Sequence, residues 1–344
     1  MAIWMEKKVD RILSGRVRAG TLTKELLPEL EPGSIAVLQH SNLDVTTAES
    51  LVLAGVQAVV NAAEFITGQF PAGGARVLLE ADIPLFEIDP HHYSWVEDGV
   101  VAYIDGRFFR TGQWGIPCRR FNLDAYKKAY DHSHSHYADV FRAFANNTLS
   151  FAVAEKEWLT RPLPRIPLRT PLEGRHVLVV IRGPHHMVDL HALKPYITAV
   201  KPVLIGVDGG ADALIHCGYS PDIIVGDMDS VSQSALLSGA EIVVHSYTSG
   251  HAPGLARMHE LGLPSKLWMC HGTSEDAALL LADEHGAERI IAVGTHTGVL
   301  DFLEKGRPGM GSSLLVRIKL GGKLIDAKGY GFLSSAEPVW GSQL

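Results

Sequence analysis

Four carboxylates in two short segments are the residues of this chain best suited to chemistry. Val203-Leu-Ile-Gly-Val-Asp-Gly-Gly-Ala-Asp212 and Pro221-Asp-Ile-Ile-Val-Gly-Asp-Met-Asp-Ser230 each run from apolar residues into acids. If both are strands of one parallel sheet, Asp208, Asp222, Asp227 and Asp229 are expected at one edge, where such sheets hold their ligands. Crowded carboxylates are tolerable when a cation neutralises them. An oxygen-only set with Asp208, Asp227 and Asp229 as metal ligands suits Mg²⁺ bridging phosphates. Gly209 and Gly210 admit close backbone approach, and Ser230 offers a hydroxyl to a phosphate. A plain turn accounts for one Asp-Gly but not for four acids.

Further candidates follow along the chain. Arg182 closes an apolar run and is suited either to a bidentate phosphate contact or to a surface ion pair. Thr273-Ser-Glu-Asp276 opens a helix, where Asp276 is either a capping-box acid or a site residue. Gly294-Thr-His-Thr-Gly298 is a small-residue loop able to cradle phosphate or ribose, which makes Thr295 a candidate contact. Asp301, Lys305 and Arg307 come next; the two cations suit phosphate, and Gly-Arg-Pro-Gly is equally an exposed turn. His251 and Arg257 flank a Gly/Pro-rich turn that either faces a ligand or simply connects. His132, His134 and His136 invite a metal assignment, but residues two apart on a helix do not share a face.

The elements that position these residues are α/β in both halves. From Gly33 the pattern alternates strand 34–38, helix 46–54, strand 58–61, helix 73–81 and strand 84–87, with a hairpin around Asp105-Gly106. Residues 123–151 read as one long helix. Arg161 to Pro171 holds four prolines in eleven residues and reads as an extended connector. The expected organisation is an amino-terminal α/β domain over 1–160, a linker at 161–171 and a nucleotide-binding domain over 172–344. In the latter, strands are expected at 177–181, 203–207, 241–245, 267–269 and 290–293, with helices at 189–200, 211–218 and 277–285.

At 344 residues with 46% hydrophobic content the chain is long enough for two cores. A net charge of −7 without a Lys/Arg block leaves no electrostatic footprint for nucleic acid. The three cysteines lie far apart, which excludes a CxxC knuckle and suits a reducing compartment. Met1 to Asp10 lacks an apolar core and no apolar run approaches membrane-spanning length, so a cytoplasmic location is expected.

Asp208-Gly-Gly-Ala and Pro221-Asp-Ile-Ile-Val-Gly-Asp-Met-Asp-Ser resemble the signature of the thiamin pyrophosphokinase catalytic domain, an open, mostly parallel α/β fold. That family moves a pyrophosphoryl group from Mg-ATP to thiamine. The resemblance implies Asp208, Asp227, Asp229 and Asp276 as catalytic acids, with Mg²⁺ and ATP or another nucleotide bound. Thr273 stands in place of the first acid of the family's Asp-x-x-Asp, and Val299 and Phe302 replace the Arg and His of its Gly-Arg-x-Asp-His. Val293-Gly-Thr-His-Thr, Asp301-Phe-Leu-Glu-Lys-Gly-Arg-Pro-Gly-Met310 and Asp326-Ala-Lys-Gly resemble the SteA-like proteins, bacterial relatives linked to cell division. This second resemblance extends over the amino-terminal half. Segments from Glu31, Ala54 and Leu78 resemble the swivelling β/β/α domains of phosphoenolpyruvate-using enzymes, without their phosphohistidine in the loop Phe65 to Gly74. Together they imply a nucleotide- or diphosphate-binding protein of the SteA type acting in cell division or envelope-linked regulation. Its expected partners are a cell-division membrane protein and a second copy of the chain. Membrane association would come through that partner or a missing carboxy-terminal segment, since the sequence stops at Ser342-Gln-Leu344. The alternative is an active ATP-dependent pyrophosphokinase.

Overall fold

The structure is a computed structural model that describes residues 12–334 apart from 22 and 248. Lys7, Lys8 and Ser342-Gln-Leu344, which bear on targeting, lie outside the described residues. Contacts divide the chain into one unit ending at Arg142 and one beginning at Ala143. The division falls inside the long helix Leu123–Leu159, ahead of the proline-rich stretch.

The first unit is a closed barrel. Its strands are β1 (Leu13–Gly20), β2 (Ile35–Leu38), β3 (Ala58–Asn61), β4 (Leu85–Ile88), β5 (Val101–Ile104), β6 (Phe108–Thr111) and β7 (Trp114–Phe121). They close in the order β1-β2-β3-β4-β7-β6-β5. β1 to β4 are parallel, and the helices Val45–Leu53 and Gly74–Glu80 supply the crossovers that parallel neighbours need. β5, β6 and β7 form a meander, with Asp105 and Gly106 in the expected hairpin turn, and β5 pairs antiparallel with β1 to close the ring. Inward residues such as Val17, Val37, Val60 and Phe109 are fully buried. β1 has no strand-like sequence, being rich in Gly and Arg. Its ladders to β2 and β5 impose the extended conformation.

The second unit is an open, seven-stranded sheet. It contains β8 (His176–Ile181), β9 (Val203–Val207), β10 (Ile223–Gly226), β11 (Glu241–Ser246), β12 (Ser265–Met269), β13 (Arg289–Val293) and β14 (Leu324–Asp326). All are parallel, in the order β12-β11-β10-β9-β8-β13-β14. The chain steps outward from β8 as far as β12, then returns to the opposite edge of β8 with β13. The order therefore reverses between β8 and β13, a topological switch point. The expected helix at 189–200 is two helices, His186–Ala192 and Lys194–Val200, because Pro195 fits only the first turn of a helix. The proline-rich stretch is held to this unit. Glu241 accepts hydrogen bonds from the Arg169 and Thr170 amides at 2.9–3.1 Å, and Leu163 is buried in the main core.

Candidate functional site

β9 and β10 run side by side, and their carboxyl ends carry the acids. Asp208 leaves β9 with φ +47°, and Met228 follows β10 with φ +62°. Such left-handed non-glycine residues are strained, and strain of this kind concentrates at functional sites. The Asp208 carboxylate lies against Gly226, where an added Cβ would sit 1.8 Å from Oδ1. The Met228 amide donates to Asp208 Oδ1 at 3.2 Å, and the Ser274 hydroxyl donates to the same carboxylate. Burial, then repulsion from Asp227 and Asp229, pushes the Asp208 carboxyl up to about 7 despite those two hydrogen bonds. Asp227 is half-buried, Asp229 is exposed, and the Asp229 amide donates to Asp227 Oδ1 at 3.2 Å. Arg257 donates to the Met228 carbonyl and so fixes the loop that carries both acids. Ser230 follows in that loop, half-buried.

Asp222 does not join them. It precedes β10, at the opposite edge of the sheet, where its carboxylate accepts from the Leu204 amide at 2.8 Å. Asp222 stands before the apolar run and Asp227 after it, so the strand between them puts them at opposite edges of the sheet, and three of the four expected acids share one edge.

Arg182 ends β8 beside the cluster. A Cβ at Gly209 would lie 3.2 Å from its guanidinium, so glycine is what allows this cation to rest over the turn after β9. Gly210 is more demanding, since its Cβ would lie 1.9 Å from the Val180 carbonyl. We expect Gly210→Ala to destabilise the protein by about 2–4 kcal/mol, because backbone would have to move. Urea unfolding measures this, and a loss below about 0.5 kcal/mol would show that the turn yields freely.

At the switch point the loops after β8 and β13 touch: a Cβ on Gly183 would lie 2.1 Å from the Gly294 carbonyl. Beyond it Thr295 donates to both Asp326 oxygens at 2.8–2.9 Å and is fully buried, which ties it to β14. His296 donates through Nδ1 to Glu275 Oε2 at 3.1 Å, and its backbone amide donates to the same oxygen. Burial holds the His296 imidazole below its usual range, against the raising effect of Glu275.

Asp276 and Asp301 have structural bonds. Thr273 and Asp276 form a complete capping box, and Ser313 donates to Asp276 Oδ2 at 2.9 Å. Burial, then repulsion by Glu275, pushes Asp276 up to about 6. Asp301 accepts from the Thr297 and Gly298 amides and from Lys328 at 2.6–2.9 Å, and Lys328 with those amides holds its carboxyl below the usual range against burial. Lys305 and Arg307 are exposed. Arg307 borders a cavity of about 310 Å³ bounded by residues after β11 and β12 and by the start of helix Gly311–Leu320.

The structure thus brings together Asp208, Asp227, Asp229, Gly209 and Arg182. Sequence reasoning missed Ser274, whose only signal was a hydroxyl one place after a helix N-cap. His132 and His136 do pair, with ring centroids 5.0 Å apart. Among the described residues no group of three or more His, Cys, Asp or Glu side chains is arranged to hold a metal ion, and no helix is long and apolar enough to cross a membrane.

No family model matches the chain. No curated protein matches it either. Among solved structures it is similar to 3-isopropylmalate dehydratase from Methanocaldococcus jannaschii, with 14% identity and a TM-score of 0.24, over 36% of this chain and 98% of that one. A likeness at that score carries no functional argument.

Proposed function

We propose that the second unit binds a nucleotide or diphosphate with Mg²⁺ at the carboxyl ends of β9 and β10. In this reading the fold is pyrophosphokinase-like, and the protein is of the SteA type, acting in bacterial cell division or envelope-linked regulation. The observation that carries the reading is the crowding of Asp208, Asp227 and Asp229, in which burial first, and then repulsion from Asp227 and Asp229, raises the Asp208 carboxyl to about 7. Like charges held this close favour a divalent cation. Because these side chains form no ready-made cage, phosphate oxygens and water would complete the coordination, as suits Mg²⁺.

When bound, the ion would neutralise phosphate charge. The chain's own residues do the rest. Ser274 orients Asp208, Arg257 fixes the loop of Asp227 and Asp229, and Arg182 stands beside the cluster to meet a phosphate. The positions where the family's acceptor-side polar residues stand have other tasks here. Thr273 caps a helix, and Phe302 is buried against Phe144 with ring centroids 6.1 Å apart. A binding or sensing role therefore fits better than thiamine phosphorylation. Purified protein given thiamine and Mg-ATP is expected to form no thiamine diphosphate above background by chromatography. Turnover abolished by Asp227→Asn would establish the kinase reading instead. Calorimetric titration with Mg-ATP, Mg-GTP and a non-hydrolysable diphosphate analogue tests binding itself.

A further inference from the structure

The 310 Å³ cavity lies one residue from the acid cluster: Thr273 lines it, and the next hydroxyl, Ser274, bonds Asp208. A ligand with its phosphates at Asp208, Asp227 and Asp229 would place its base in this adjoining cavity. Its walls include the rings of Phe151, Tyr247 and Phe302, suited to stacking. One carboxylate also lines it, that of Glu155, whose Oε2 accepts from the Ser312 hydroxyl. A carboxylate is an acceptor only, with about four lone-pair sites over two oxygens, so Ser312 leaves it with capacity to accept more.

That chemistry selects among bases. Guanine presents two adjacent donors, N1–H and N2–H, to a carboxylate. Adenine presents only its exocyclic amine, and so does cytosine. We infer that the cavity beside the acid cluster is a base pocket and that Glu155 makes it select guanine nucleotides. This inference rests on the nucleotide reading of the cluster. Ser312 acts as a positioning residue, because its hydrogen bond holds Glu155 in the cavity.

The test is calorimetric titration of the full chain with Mg-GTP, Mg-ATP and Mg-ITP. Wild type is expected to bind Mg-GTP roughly tenfold or more tighter than Mg-ATP, the order expected of a bidentate base contact. Mg-ITP, which lacks the N2 amine, should fall between them. Glu155→Gln, which still offers Ser312 an acceptor, should bring the GTP/ATP ratio close to one, by a loss of Mg-GTP affinity roughly tenfold larger than any loss of Mg-ATP affinity. The Mg-ITP comparison needs no variant and stands even if Glu155→Gln fails to fold. Equal affinities for GTP, ITP and ATP that are all lost in Asp227→Asn/Asp229→Asn would overturn the guanine assignment and leave the acid-cluster site standing. Absence of binding by any of the three in wild type would overturn both.

Discussion

The Asp227→Asn/Asp229→Asn variant is expected to lose Mg-nucleotide affinity by on the order of 100-fold, since disturbing even the outer shell of a metal site costs 10–100-fold. The fold should survive. Asp229 is exposed and Asp227 half-buried, so neither substitution creates a cavity, and an Asn at 227 still accepts from the 229 amide. Apo stability should rise slightly, because both changes remove charges that now repel Asp208. Circular dichroism controls for folding. Wild-type affinity in a folded double variant would remove these carboxylates from the site.

The second large effect is on stability against pH. An unfolded aspartate titrates near 3.8, whereas Asp208 keeps its proton up to about 7. Between those values the folded state binds more protons, so stability present below about pH 4 is lost as pH rises through about 7. The slope from one such group is at most about 1.4 kcal/mol per pH unit. Asp276, raised to about 6, adds loss of the same sign over a narrower window. Asp208→Asn removes the first contribution, and Asn tolerates the φ of +47° found there. At pH 8 without Mg²⁺ the variant is expected to melt roughly 10 °C above wild type, from about 4 kcal/mol at about 2–4 °C per kcal/mol for a unit of about 200 residues. Wild type, unlike the variant, should gain stability on adding Mg²⁺. A variant less stable than wild type at pH 8 would mean that the Asp208 carboxylate holds the turn rather than straining it.

The inner strands of the second unit, β8 to β11 and β13, could be read from the sequence because they are almost wholly buried, whereas the part-exposed edge strand β14 (Leu324–Asp326) gave no such run. Val177-Leu-Val-Val and Ile223-Ile-Val are continuous apolar runs, the pattern a parallel sheet demands. Asp208, Asp227 and Asp229 could be read for a related reason, since acids after such runs fall at strand ends. Asp222 misled because it precedes its run, and polarity alone does not mark direction. β1 was illegible, its strand character coming from neighbours in the barrel rather than from Leu13 to Gly20. The hydrogen bonds that occupy Thr295 and Asp276 depend on Asp326 and Ser313, which are distant in sequence, so local pattern left those residues open as ligand contacts. The same distance hid Glu155, which reaches its cavity through packing of the long helix against residues 308–312.

The most direct measurement is calorimetry of wild-type protein with Mg-GTP or Mg-ATP, repeated with EDTA in place of Mg²⁺. Saturable binding with the metal that disappears in EDTA is the predicted result. Binding of equal strength in both conditions, or none in either, would contradict a Mg²⁺-dependent nucleotide site at Asp208, Asp227 and Asp229.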